Sequence, residues 1–363
     1  MRITAAVARE EGQPFTIEEL ELGELRPDEV LVGIRAAGLC RTDVAVRDQW
    51  VTAPLPAVLG HEGAGTVLTA GAKVTCVRPG DTVVLTFASC GECALCSSGH
   101  PAYCLESVAL NLGGGRADGS NTLRSDVRGC FFGQSSFATH AIAHESTVVK
   151  IDPDVAPTVA APLGCGALAG AGTVINRLRP AAGSSIAVFG VGAVGMAALM
   201  AARAAGCGTI IAVDVHPDRL DLALSLGATH VIDTTRVNPI STILRITGVG
   251  VANAVDTTGV PEITRQAADS LAPLGTCAVL GVGPFGTELS VDVTNLLIPG
   301  RTVTGVAKGD ARPHELIPRL LDLHRQGLFP IDRLVNAYAL ADINRAIEDV
   351  ESGKCVQAVL MPY

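Results

Sequence analysis

One stretch narrows the possible folds more than any other: SSIAVFGVGAVGMAALMAARAAGCGTIIAVDVHPDR, residues 184–219. Ser185–Phe189 reads as a buried strand, and Gly190, Gly192 and Gly195 form G-x-G-x-x-G. Ala193–Ala205 is rich in helix formers, and Gly206 ends it. Thr209–Val213 reads as a second strand, ending at Asp214, nineteen residues after Gly195. Glycines allow a backbone to approach a pyrophosphate, which then meets the amides at a helix N-terminus. A bare G-x-G-x-x-G also occurs in other glycine-rich turns. Strand, helix, strand and acid in register make the dinucleotide reading specific. The binding segment is Gly190, Gly192, Val194 and Gly195. An acid at 214 accepts hydrogen bonds from ribose hydroxyls and repels a 2′-phosphate, so NAD is expected rather than NADP.

The alternation continues downstream. A helix is predicted over about 217–226, stopping near Gly227, and THVID is strand-like. NAVDTTG gives another strand, PEITRQAADSLAP a helix and GTCAVLGVG a strand. Repeated βα units of this kind build a doubly wound parallel sheet. The N-terminal part differs. EVLVGIRAAGLC, GAGTVLTAG and GDTVVLTFASC are Val/Thr-rich segments punctuated by Gly and Pro, as in a β-rich domain. The tail carries an amphipathic helix around PHELIPRLLDLHRQG.

Within the β-rich part, SCGECALCSSGHPAYC places Cys90, Cys93, Cys96 and Cys104 at C-x2-C-x2-C-x7-C. That spacing brings four thiolates round one tetrahedral ion, with Gly91, Ser98 and Gly99 supplying tight turns. Unliganded cysteines and an iron–sulfur cluster are the competing readings, but redox clusters use different runs. Four filled positions leave no room for a substrate, so the site is expected to be a closed, structural zinc. Cys40, His61 and Cys165 are further possible ligands beside glycines. Singly, each reads equally well as a buried thiol or a satisfied imidazole, and spacing cannot join them.

The bulk properties bound the remainder. A length of 363 residues suits two domains, and a net charge of −9 argues against nucleic acid. The opening residues lack a long apolar core, and no uncharged run is long enough to span a membrane. Eleven cysteines without a secretory signal point to reduced thiols in a cytoplasmic protein.

GLCRTD, LGHEGAG, the four-cysteine run, PLGCG and GVGAVG…AVD occur in one order along the whole chain. In that order and spacing the sequence resembles the zinc-dependent medium-chain alcohol dehydrogenases. FASCGECALCSSGHPAYC, FFGQSSFATH and GSSIAVFGVGAVG are most similar to its NAD-dependent aryl-alcohol (benzyl alcohol) members. The resemblance implies an α/β protein: a GroES-like β-rich catalytic domain at 1–167 and 304–363, and a Rossmann domain at 168–303. It makes Cys40, His61 and Cys165 ligands of a second, catalytic zinc, with Glu62 beside the metal and Asp43 orienting His61. Thr42 becomes the hydroxyl that hydrogen-bonds the alcohol and starts a proton path. Arg41 becomes a pyrophosphate contact, and Asp214 with Arg219 the ribose-binding pair.

Two positions depart from the family pattern. Ala45 stands where many relatives continue the proton path with a histidine, and Gln357 stands where many carry a second basic phosphate contact. Trp50, Phe87, Phe131 and Phe132 are candidates for an apolar substrate pocket. The expected activity is reversible oxidation of a small apolar primary alcohol, benzylic or allylic, to its aldehyde. The expected partners are that alcohol or aldehyde and further copies of the chain, as a dimer or tetramer. A dehydrogenase for thiol adducts of formaldehyde is a weaker alternative, because LESVALNLGGG offers no basic residue before Arg116. A catalytically silent protein retaining the fold is another, weakened by two complete ligand sets.

Overall fold

The computed structural model describes residues 1–284 and 286–363. They divide into two compact units. One comprises Met1–Cys165, Arg312–Pro318 and Asp332–Tyr363; the other comprises Gly166–Ala311 and Arg319–Ile331.

The first unit is built on β-sheet. Strand β1 (Arg2–Ala8) pairs antiparallel with β2 (Thr16–Glu21) and with the short β4 (Ala57–Val58). A larger sheet runs β15 (Val335–Ala339), β16 (Gln357–Met361), β3 (Glu29–Gly38), β5 (Gly63–Ala70), β6 (Thr82–Leu85) and β8 (Val148–Ile151). Strand β7 (His140–His144) also pairs with β3. Every pairing in this sheet is antiparallel except β15 with β16. β-Branched Val30, Val32 and Ile34 alternate inward along β3, whereas β6 is buried on both faces, with consecutive Val83 and Val84 fully buried.

The register decides where chemistry can gather. Ala37 of β3 lies opposite Gly63 of β5, Ala64 opposite Val84 of β6, and Gly38 opposite Val359 of β16. The end of β3, the start of β5, the end of β6 and the start of β16 therefore share one end of the sheet. Cys40, His61, Thr86 and Gln357 follow, precede or begin those strands within two residues.

The second unit holds a wholly parallel six-stranded sheet in the order β11, β10, β9, β12, β13, β14. These are β9 (Ser185–Phe189), β10 (Thr209–Asp214), β11 (His230–Asp233), β12 (Val251–Asp256), β13 (Leu271–Val279) and β14 (Thr302–Gly305). Numbered along the chain, that is the 3-2-1-4-5-6 arrangement of a dinucleotide-binding doubly wound sheet. On one face Ala187, Phe189, Ile211, Val213 and Ala254 pack with Ile243 and Ala267 from covering helices.

Two limits differ from the sequence expectation. The strand in NAVDTTG ends at Asp256: the Thr257 amide still bonds the Phe189 carbonyl of β9, but the Thr258 amide leaves the ladder for Asp256 Oδ1. The helix starting at Pro261 ends at Asp269, not at 273. Leu271–Pro273 instead opens β13, whose pairing with β12 shifts between Val251 and Asn253. Leu274 there adopts a left-handed φ of 63°, so strand continuity is recovered only by a bulge. The tail helix is present over Pro313–Arg325, with Leu316, Ile317, Leu320 and Leu321 buried on one face. No single helix among the described residues is long and apolar enough to cross a membrane.

Candidate metal centres and nucleotide turn

Cys40 precedes α1 (Arg41–Arg47), whose first turn is fixed by Asp43. Asp43 Oδ2 accepts the Cys40 amide at 3.0 Å, a reach back to the N-cap that fixes the cysteine's peptide. The other oxygen, Oδ1, lies 2.8 Å from His61 Nδ1 and accepts the Gly60 amide at 3.1 Å. One buried carboxylate thus ties together two segments that carry candidate ligands. Burial raises its own pKa. Burial also works against a charge on His61, but Asp43 and Cys40 outweigh it and hold the imidazole well above its ordinary value.

With Nδ1 committed to Asp43, Nε2 of His61 is the remaining donor atom. It is buried and has no hydrogen-bond partner among the described residues. Ligand atoms of Cys40, His61 and Cys165 lie within 4.8 Å of one another. A hydrogen bond from Cys165 draws the Cys40 thiol well below its usual pKa, and the same pairing raises Cys165. Two soft sulfurs and an otherwise orphaned imidazole nitrogen fit a zinc ion, and three protein ligands leave a coordination position open. Cys40 Sγ and Thr42 Oγ1 are 3.7 Å apart, which places that hydroxyl beside the same group.

Glu62 follows His61, and its carboxylate packs against Gly38 at the end of β3. Gln357 Nε2 donates to Glu62 Oε2 at 3.3 Å and to the Ala358 carbonyl at 3.1 Å. A β-carbon at Gly38 would lie 2.0 Å from Glu62 Oε2, so the glycine is required for the carboxylate to sit there.

Aromatic rings close round the histidine. Phe132 stacks on His61 with centroids 4.4 Å apart, and Phe131 meets it edge-on at 5.6 Å. Phe87 is buried, whereas Trp50 on the loop after α1 is 52% exposed. The fragment that carries the two phenylalanines also holds Gln134, which the sequence reading passed over. Its amide donates to the His61 and Thr86 carbonyls and accepts the Gly63 amide, each at 3.0 Å. A glutamine between Gly133 and Ser135, directly after two phenylalanines, is the only signal of it in the sequence.

Cys90, Cys93, Cys96 and Cys104 form a second cluster within 4.8 Å. Backbone amides point at its sulfurs: Cys93 N at Cys90 Sγ (3.3 Å), Cys90 N at Cys104 Sγ (3.3 Å) and Cys96 N at Cys93 Sγ (3.5 Å). The Leu105 and Cys96 amides hold the Cys93 thiol down to about 6. Such donors stabilise thiolates, and four sulfurs fit a closed tetrahedral zinc.

In the second unit, Gly190 has φ 79° and Gly192 caps α2 (Ala193–Ala204), with open space where its β-carbon would be. A β-carbon at Gly195 would lie 2.0 Å from the Gly190 carbonyl oxygen, so the third glycine allows helix and turn to touch. Val194 lies in the first turn of this helix. Asp214 ends β10, with Oδ2 accepting the Val191 amide at 2.8 Å and Oδ1 the Val215 and His216 amides at 2.7 and 3.0 Å. Arg219 lies half-buried in the following helix, Pro217–Leu226. Arg41 is exposed at the first position of α1.

Comparison with known proteins agrees with this arrangement. Residues 26–153 match the model of the alcohol dehydrogenase GroES-like domain, and residues 193–325 that of the zinc-binding dehydrogenases. The chain is 41% identical over 362 residues to a geraniol dehydrogenase of Castellaniella defragrans, covering 98% of this chain and 97% of that one. Among solved structures, an alcohol dehydrogenase zinc-binding domain protein from Burkholderia ambifaria is 49% identical with a TM-score of 0.98, and the match covers 100% of both chains. Benzyl alcohol dehydrogenase from Acinetobacter calcoaceticus is 44% identical with a TM-score of 0.97, over 99% of both.

Proposed function

The chain belongs to the zinc-dependent medium-chain alcohol dehydrogenases, and from that premise we propose that it uses NAD and two zinc ions to interconvert aryl or allylic primary alcohols and their aldehydes. The observation that carries this reading is the Cys40–His61–Cys165 group with Phe131 and Phe132 against its histidine. Flat aromatic faces beside a polar centre favour a substrate whose reacting carbon is attached to a planar apolar group. Similarity to a geraniol and a benzyl alcohol dehydrogenase supports the same class.

Cys40 Sγ, His61 Nε2 and Cys165 Sγ would hold the catalytic zinc, which supplies Lewis acidity that lowers the pKa of an alcohol hydroxyl. The chain's own residues do the rest. Asp43 keeps the proton on His61 Nδ1 and so aims the Nε2 lone pair inward. Thr42 Oγ1 takes the hydroxyl proton and passes it outward. With Ala45 where an imidazole would continue the path, water is the next carrier. Gln357 and the vacant β-position of Gly38 hold the Glu62 carboxylate at the end of β3. On the second unit, Gly190, Gly192 and Gly195 receive the pyrophosphate. Asp214, already fixed by three amides, offers its remaining lone pairs to the ribose and repels a 2′-phosphate.

Arg116 bears on the thiol-adduct alternative. Its guanidinium is bound to Glu29, with its Nε at Oε1 2.5 Å away. The first basic residue after Cys104 is therefore already neutralised rather than free for a carboxylate substrate. Self-association is supported by exposed apolar residues near the β14 edge: Leu274, Val293, Leu297 and Ile298 are 71–82% exposed, and Leu274 donates its amide to Pro299.

The test is NADH formation with benzyl alcohol, geraniol, ethanol and formaldehyde plus glutathione, alongside zinc analysis and sedimentation. The reading expects kcat/KM for the first two to exceed the others by at least tenfold. Preference for ethanol or the thiol adduct would overturn the substrate class. A monomer would overturn the self-association.

A further inference from the structure

The geometry points to Gln134 and Thr86 as a buried brace that sets the separation of His61 from Cys165, and hence the grip of this site on its ion. The inference rests on the metal reading above and adds residues that are not ligands.

Gln134 acts as a strand residue made from a side chain. Its carboxamide donates to the His61 carbonyl and accepts from the Gly63 amide, the i and i+2 pattern that a neighbouring strand would offer. The second amide hydrogen goes to the Thr86 carbonyl. Both hydrogens and the oxygen of this fully buried carboxamide are therefore used. Thr86, also fully buried, then turns its hydroxyl to the Gly164 carbonyl at 2.7 Å, the peptide that leads into Cys165. A continuous hydrogen-bonded line thus runs from the His61 peptide through Gln134 and Thr86 to the Cys165 peptide. Gly164 has no slack, since a β-carbon there would lie 2.3 Å from the Leu85 carbonyl oxygen.

The backbone beside Gln134 is strained in the way expected where the fold imposes a position. Cys130, Phe132 and Ser135 adopt φ of 69°, 51° and 56°, and Gly133 adopts 68°. Ser135 Oγ holds this turn by donating to the Val58 carbonyl at 2.7 Å and accepting the Phe131 amide at 2.9 Å. The same turn stacks Phe132 on the His61 ring, with the two planes 28° apart. Backbone brace and ring stack fix one ligand from two directions.

The test uses Thr86→Val, which keeps the shape and removes the hydroxyl, Gln134→Met, and Thr86→Ser as the conservative control. Full-length protein is loaded with zinc, and ion release to a chelator is followed; the cobalt(II) form supplies visible spectra. The four-cysteine site is an internal reference. The expected result is release from the Cys40–His61–Cys165 site about 10–100-fold faster in Thr86→Val and Gln134→Met, the scale seen when residues supporting metal ligands are lost. The ligand-field bands should shift, while release from the four-cysteine site stays unchanged and Thr86→Ser behaves as wild type. Unchanged release and spectra in folded Thr86→Val would overturn the brace. Equal acceleration at both sites would also overturn it, because that is general loosening. If wild type and Cys165→Ser hold the same zinc, the metal reading itself fails, which is a separate result.

Discussion

Asp43 and His61 share a fully buried hydrogen bond of 2.8 Å, and the same carboxylate holds the Cys40 amide at 3.0 Å. The acid therefore sets the direction of one candidate ligand and the backbone of another. Asp43→Asn places an amide NH2 where one of those oxygens accepts. The expected outcome is a folded protein whose second zinc is bound about 10–100-fold more weakly, read by zinc content after dialysis against graded chelator.

The two cysteine clusters should fail differently. Cys93→Ser should release the four-cysteine ion and lower thermal stability sharply, because binding energy at a closed site is folding energy. Cys165→Ser should lose the other ion and activity while still binding NADH. Metal analysis, melting curves and NADH fluorescence titration separate the two. One zinc per chain in well-folded wild type would sink the assignment.

Thr42 lies 3.7 Å from the Cys40 sulfur, and no imidazole stands at position 45 to replace it. Thr42→Ala should depress benzyl alcohol turnover by about 10²–10⁴-fold, mainly in kcat, the usual range for a lost proton-transfer group. Thr42→Ser should keep much of the activity. Near wild-type turnover in zinc-replete Thr42→Ala would falsify the relay.

Asp214 binds three backbone amides as well as its proposed ribose. Asp214→Gly should narrow the NAD over NADP preference in kcat/KM by about 1–3 kcal/mol. It should also lower the melting temperature of the apo-protein, because the Val191 amide loses its acceptor. A preference ratio that does not move counts against the ribose contact even if stability falls.

Gly38→Ala tests close packing rather than backbone freedom. Its β-carbon would meet the Glu62 carboxylate oxygen at 2.0 Å. The side chain must move or the strand must shift, at a cost of about 1–3 kcal/mol, measurable as a lower denaturant midpoint. Gly91→Ala provides the contrast: nothing lies near its added carbon, so any cost there comes only from its φ of 78°.

What could be read before the structure follows from the range of the interactions concerned. The strand–glycine–helix–acid run of 185–214 is local in sequence, and so is the four-cysteine cluster. Both could be recognised from spacing because the chain itself supplies the geometry. Cys40, His61 and Cys165 could not, since their meeting depends on sheet register and on the turn at 130–135. Only the family resemblance joined them. Gln134 was invisible for the same reason: its partners are 48–73 residues away, and a glutamine has no unique chemistry to announce itself. Composition extends the helix over 261–273 because Leu271 and Ala272 suit a helix; parallel pairing with β12 claims Leu271 instead.

The bond from Gln357 to Glu62 joins residues 295 positions apart, with the entire nucleotide-binding sheet between them. At about 5–20 residues per second, a ribosome needs roughly 15–60 s to make that interval. Cys40, His61 and Cys165 have all been synthesised well before it ends, yet β16 has not reached β3 and Glu62 still lacks the Gln357 amide. On the zinc reading proposed above, the donor residues are thus complete in the nascent chain before the strand that closes their surroundings has been made.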